Sequence, residues 1–211
     1  LNLEEEMIKP YGWDFEYVRA DARKAWNNLL SKIEVSGGSE EDKTKFYTNL
    51  YRSYVARAIL SDVNGKYMDP CEEEKQSDSP MLGCDAFWNT FWNLNQLWTL
   101  VNPDIASMWA KSLLQMYRDG GWLSKGPAGI EYSSIMVASH SIPLIVSAYQ
   151  KGIRDFDVET AWEAIYHQQT VPGHEYKCGG RVGNMQLESY LKYGYVPTEA
   201  VYVSNTLEYA Y

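Results

Sequence analysis

"DFEYVRADARKAWNNLLSKIEV", residues 14–35, decides the fold class. Asp14 stands where a carboxylate would accept hydrogen bonds from the first free amides of a helix. Behind it, Phe15, Val18, Ala22, Trp26, Leu29, Leu30 and Ile33 recur at the spacing of one buried helix face. The Gly-rich "VSGGSEED" at 35–42 then breaks the pattern. Working outward, the same periodicity returns in "EDKTKFYTNLYRSYVARA" (41–58), with Phe46, Tyr47, Leu50, Tyr51 and Tyr54 on one side.

Residues 60–84 read as one long irregular segment ending in the acidic, Pro-bounded "DPCEEEKQSDSP". Loops of that length are uncommon inside compact domains and are often functional, although the EEEK part fits a solvated surface excursion. A third helix is expected from Asp85 to Val101. A fourth follows over 102–121, with Pro103 in its first turn and Gly120 placed to end it. The fifth spans 133–152, kinked at Pro143 and stopped by Gly152. "DVETAWEAIYHQQ" (157–169) gives a sixth and "NMQLESYLKYG" (184–194) a seventh. "SNTLEYAY" (204–211) starts an eighth, with Asn205 and Glu208 spaced as a capping box. No alternating strand pattern competes, so the fold class is all-α. Successive helix pairs suit an α-hairpin array or an (α/α) toroid, and the abrupt ends suggest a piece of a larger domain.

Composition narrows the function. The 211 residues are 45% hydrophobic and 22% charged, a globular balance. Formal net charge is −9 with no Lys/Arg cluster, which disfavours nucleic acid and anionic membrane surfaces. No apolar run approaches the roughly 20 residues that span a bilayer. The three cysteines, Cys71, Cys84 and Cys178, show no zinc spacing. Cys71 and Cys84 flank a polar loop and are placed to pair in an oxidising compartment; free thiols fit the spacing equally.

Aromatic residues make up 14% of the chain, with 17 Tyr and 8 Trp against 5 Phe. Tyr and Trp pair apolar area with a polar handle, which suits half-buried groove walls as well as cores. The densest mixture is "DAFWNTFWNLNQLW" (85–98), which sets Trp88, Trp92 and Trp98 among Asn89, Asn93, Asn95 and Gln96. Rings that stack on sugars beside amides that bond hydroxyls would use that mixture. His140 lies among small apolar neighbours and fits either a hydrogen-bonded core or a ligand-facing role; Glu131 precedes its helix, where a carboxylate caps it, accepts a ligand hydroxyl, or does neither. No GxSxG, phosphate-loop, HExxH or EF-hand pattern occurs, and "CGGRVGN" (178–184) lacks the residues of a phosphate cradle.

Several runs in order resemble one family, the glycoside hydrolase family 92 α-mannosidases: "WDFEYVRADARKAWNNLLSKIEVSGGSEEDKTKFYTNLYRS", "SDVNGKY", "FWNTFWNLNQLWTLVNPD", "SAYQKGIRDFDVETAW", "GRVGNMQLESYLKYGYVP" and "VSNTLEYAY". Together they span nearly the whole chain. The resemblance implies a catalytic (α/α)6 toroid preceded by a β-sandwich, with residues 1–211 forming the first part of the toroid. The β-sandwich and the remaining toroid are expected outside the chain. It further implies an exported, calcium-dependent, inverting exo-α-mannosidase acting on mannose-containing glycans. Its acid, base and most calcium ligands are expected beyond "TLEYAY", so no catalytic or metal-binding residue is expected here. The remainder of the polypeptide, or other copies of the chain, is the expected partner.

By the same resemblance, the substrate-binding residues are Trp88, Asn89, Glu131 and His140. The first turn of the 85–101 helix should face the sugar, while Leu94, Leu97 and Trp98 pack. Three positions depart from the family pattern: Asn89 and Ser147 stand where Asp is common, and Ala138 where Gly is common. A family member that binds glycans without hydrolysing them is the alternative, and a ligand-free helical array is the third reading.

Overall fold

The N-cap expected at Asp14 forms: its carboxylate accepts from the amides of Glu16 at 2.9 Å and Tyr17 at 3.2 Å. The computed structural model describes residues 4–55, 57–84, 87–128, 131–132 and 139–196, with backbone alone for Met7, Cys84, Pro127, Ala128 and Glu131. Two compact units divide the chain, Leu1–Arg57 with Asp62–Asn64, and Ala58–Ser61 with Gly65–Tyr211. The expected eighth helix and the 133–138 part of the fifth lie outside the described residues.

In the first unit, a π-helical turn (Glu4–Ile8) and a short α1 (Lys9–Tyr11) lead to α2 (Phe15–Leu30) and α3 (Glu40–Arg52). Ser39 and Asp42 form a reciprocal capping box that starts α3. Trp26 and Tyr51 meet with ring centroids 4.5 Å apart, and the Tyr47 hydroxyl donates to Ile33 O at 3.1 Å. The helix ends at Arg52 rather than running to Ala58. The Ser53 hydroxyl turns back to Leu50 O at 2.7 Å, a local bond that competes with helix continuation.

The second unit corrects the expectation of a strand-free chain. Among the described residues, eight strands of two or three residues make four two-stranded sheets: β1 (Arg57–Ile59, its last two residues in this unit) with β4 (Leu82–Cys84), β2 (Lys66–Met68) with β3 (Glu74–Gln76), β5 (Pro127–Ala128) with β6 (Glu131–Tyr132), and β7 (His174–Glu175) with β8 (Arg181–Val182). Runs this short cannot display a period of two. In the β2–β3 hairpin Tyr67 opposes Lys75. Its turn is set by the buried Asp69 carboxylate, which accepts from the amides of Cys71 at 2.8 Å and Glu73 at 3.0 Å.

A disulfide joins Cys71 in that turn to Cys178 in the β7–β8 turn, 107 residues along the chain. The pairing of Cys71 with Cys84 is therefore wrong; spacing cannot reveal that two distant turns converge. Beside the bridge, Tyr132, Trp122 and Val182 form a buried cluster with Tyr176 packed against it. The Tyr132 ring lies over Gly120, where a Cβ would sit 2.1 Å from the hydroxyl oxygen, so the site demands glycine.

The core gathers around α5 (Pro103–Gly120), which packs on α4 (Leu94–Val101), α6 (Ser141–Gln150) and α7 (Val158–Thr170). Trp109, Ala110, Leu113 and Leu114 are buried along it. Its end is Gly121, in the left-handed region at φ 80°, one residue after the glycine expected to end it. Pro143 falls in the first turn of α6, where no intrahelical N–H is required, so it fits there without a kink. Asp157 caps α7, and α8 (Leu187–Tyr193) stops at left-handed Gly194. Among the described residues no helix is long and apolar enough to cross a membrane.

Candidate functional site

The helix expected from Asp85 begins only at Leu94; a 3₁₀ turn at Thr90–Trp92 precedes it. Trp88 and Asn89 therefore sit in a turn and not in the first turn of a helix. Phe87, fully buried, anchors this turn edge-on against Trp109 with centroids 4.9 Å apart. Thr90 closes it: its amide and hydroxyl both donate to Phe87 O, at 3.0 and 2.9 Å. With residues 87 and 90 turned inward, Trp88 is left 51% exposed. Asn89 takes the left-handed conformation at φ 61°, a region that Asn tolerates better than most residues.

His140 lies beneath this turn, 1% exposed. Its Nε2 accepts from the Asn89 amide at 3.4 Å, and burial holds its pKa below the ordinary imidazole range. The ring is thus neutral, with an acceptor at Nε2 and the proton on Nδ1. His140 thus meets the turn from its buried side. Trp88 and Asn89 are contiguous, and Asn89 and His140 meet. Glu131 is placed by its backbone in β6, opposite Ala128. The turn therefore offers an indole face and a carboxamide above a neutral imidazole, groups suited to stacking on a sugar and bonding its hydroxyls.

Ser147, one of the departures from the family pattern, is 6% exposed on α6. Its hydroxyl accepts from Gln96 Nε2 at 3.4 Å, and Gln96 Oε1 in turn accepts from Lys151. The expected packing of "LNQLW" holds for Trp98, which is buried, while Leu94 and Leu97 are half-buried. Asn95, counted in the sequence among the hydroxyl-bonding amides of 85–98, is instead 1% exposed on α4. Sequence reading passed over Ser139, Gln168 and Asn184, all buried; polar letters scattered between apolar ones carried no signal of their joint burial.

Among the described residues, no three His, Cys, Asp or Glu side chains converge as a metal site.

The sequence profile described as the Glycosyl hydrolase family 92 catalytic domain matches residues 1–211. A family 92 inverting mannosidase from Bacteroides thetaiotaomicron superposes with a TM-score of 0.78 at 30% identity, over 92% of this chain and 26% of that one. A family 92 α-mannosidase from the same organism superposes with a TM-score of 0.85 at 23% identity, over 99% of this chain and 27% of that one, a likeness of fold. A protein of Arthroderma benhamiae described as an uncharacterized secreted glycosidase is 27% identical over 100% of this chain and 24% of its own length. The chain thus spans about a quarter of each of these relatives. With the chain matched by this profile from residue 1 to residue 211, it belongs to glycosyl hydrolase family 92.

Proposed function

We propose that the chain is the first part of the catalytic toroid of an exported α-mannosidase that removes α-linked mannose from glycans with inversion. The Trp88–Asn89 turn borders its sugar pocket, and Glu131 and His140 belong to the same region. The observation that carries the reading is the half-exposed Trp88 indole on a turn whose flanking side chains are buried, within a chain matched throughout by the family profile. Export is supported by the Cys71–Cys178 disulfide, a bond that persists in oxidising compartments, and by the relative described as secreted.

Inverting hydrolysis needs a carboxylic acid and an opposed carboxylate about 6.5–9.5 Å apart. Trp88, Asn89 and His140 bring neither: Trp88 and Asn89 bind and orient the sugar, His140 holds their turn, and acid and base come from elsewhere in the polypeptide. Calcium dependence belongs to the same proposal, with ligands outside the described residues.

The test is an assay of the full polypeptide on α-linked mannobioses, with and without a chelator. Mannose release that the chelator abolishes is expected. Trp88→Ala should weaken sugar binding by about 1–3 kcal/mol, the scale of a lost aromatic contact. A second reading, a glycan-binding protein without hydrolysis, is favoured by Asn89 and Ser147, which hold no charge where the family commonly has Asp. Binding without turnover on every mannoside would select it.

A further inference from the structure

Ser139, His140 and Ser141 are 4%, 1% and 0% exposed, three consecutive polar side chains shut away from solvent. The Ser139 hydroxyl donates to Asn184 Oδ1 at 3.4 Å and accepts from Gln168 Nε2 at 3.4 Å. Gln168 comes from α7 and Asn184 from the segment between β8 and α8, both 0% exposed. Both bonds are long for their type. Among the described residues, the far ends of both amides, Gln168 Oε1 and Asn184 Nδ2, and the Ser141 hydroxyl meet no hydrogen-bonding partner.

Such a cluster is a poor way to hold a fold together. A buried polar atom left without a partner is destabilising, and apolar side chains of similar shape would pack there without that cost. Its position gives it another use. Ser139 immediately precedes His140, and the two amides grip it from two other parts of the unit. His140 in turn holds the amide of left-handed Asn89.

We propose that Ser139, Gln168 and Asn184 are positioning residues: they fix the backbone entering His140, which holds the Trp88–Asn89 turn in its sugar-facing form. The proposal rests on the reading of that turn as a sugar-pocket wall. It makes the floor of the pocket a polar lock rather than an apolar plug. Stability is given up there for geometry, as supporting shells of binding sites do.

The test uses the full polypeptide with Gln168→Met, close in size but without the amide, and Ser139→Ala as a second variant. Three quantities are read: the melting temperature, the ¹⁵N resonance of His140 Nε2, and the Kd of an α-linked mannobiose. The melting temperature should hold or rise, the Nε2 resonance should move, and the Kd should increase about tenfold to a hundredfold, the scale of a small misplacement at a site. A wild-type Nε2 resonance with wild-type affinity overturns the proposal. So does loss of the fold in both variants, which would make the trio structural. So too does unchanged affinity in both variants while Trp88→Ala weakens binding. If the resonance moves but neither the lock variants nor Trp88→Ala alters mannobiose binding, the grip on His140 stands and the sugar-pocket reading falls.

Discussion

The helices α2 and α5 carry the same kind of apolar periodicity and put it to different ends. In α2 no residue is buried, and Phe15, first on its apolar face, is 72% exposed. In α5, Trp109, Ala110, Leu113 and Leu114 are all at most 1% exposed. The first helix is marked chiefly by its local ends, above all the Asp14 cap; the second is made stable by what surrounds it. Periodicity announces a helix in both, but only burial turns the apolar face into stability.

Breaking that comparison at its strongest point gives the largest expected effect. Trp109→Ala should cost about 3–5 kcal/mol, because it removes a buried ring and leaves a cavity beneath Phe87. Phe15→Ala should change stability by no more than about 0.5 kcal/mol, as surface changes usually do. Urea unfolding followed by tryptophan fluorescence separates the two. Equal costs would mean that the apolar face of α2 is covered in solution.

The next largest effect comes from the disulfide, which lies wholly in the second unit. Replacing Cys71 and Cys178 by Ser should cost about 2–5 kcal/mol, toward the upper part of that range because the closed loop is long. The loss should appear in the second unit's transition and leave the helicity of α2 and α3 as it was. Circular dichroism with and without reductant tests this. A reduced protein with an unshifted transition would show that the two turns stay together without the bond.

What was legible in the sequence follows the same division. Asp14 announced its helix because a cap acts on amides within three residues of itself; Ser39 and Asp157 cap α3 and α7 in the same way but were not read as caps. The mainly helical character and most helices could be read from such local signals and from periodicity. The start of α4 could not. Phe87 is drawn inward against Trp109 and the Asn89 amide is held by His140, contacts spanning tens of residues that delay the helix to Leu94. The same holds for the disulfide and for the strands, whose few residues are positioned by turns and partners rather than by their own pattern. At the candidate site, the rings and amides of 87–96 were visible as letters, and the family resemblance singled out Trp88, Asn89, Glu131 and His140. That His140 supports Trp88 and Asn89 from below was not visible, because burial is a property of the assembled core.

A third effect shows itself only in acid and only in the second unit, which holds all three histidines. Burial keeps His140 below its ordinary pKa, so the folded state leaves it neutral where the unfolded chain already binds a proton. Its contribution is whole above the usual imidazole value of about 6.5. It declines as pH falls through that value toward the lower one of the folded state. Stability against urea should therefore drop as pH falls below about 6.5, and His140→Gln should flatten the drop. Asp157, held down to about 2 chiefly by the Thr160 hydroxyl and amide and then by Arg118, gives up its contribution only below the ordinary carboxylate range. The two windows are distinct. An unchanged slope in the histidine variant would place the acid sensitivity elsewhere.

The smallest effect sharpens the comparison most, because it applies one chemistry to both regions. Asp14 and Asp157 are both N-caps: Asp14 accepts from the amides of Glu16 and Tyr17, Asp157 from the amide of Thr160. Asp14→Ala should remove about 1 kcal/mol, a usual cap contribution, from a helix with no buried residue to compensate. The expected result is fraying of α2: lower helicity and faster amide exchange at Glu16 and Tyr17, with little change in the global midpoint. Asp157→Ala removes the same kind of cap from α7, whose Ala161, Ala164 and Gln168 are buried. Packing keeps that helix formed in the native state, so its helicity should persist while the global midpoint of the second unit falls. Arg118 Nη2, 2.8 Å from Asp157 Oδ2, loses a partner at the same time, which adds to the global and not the local effect. Amide exchange measured residue by residue on both variants decides the matter. Local fraying at α7 with an unchanged midpoint, or a global shift from Asp14, would show that burial does not divide the two regions as their side chains indicate.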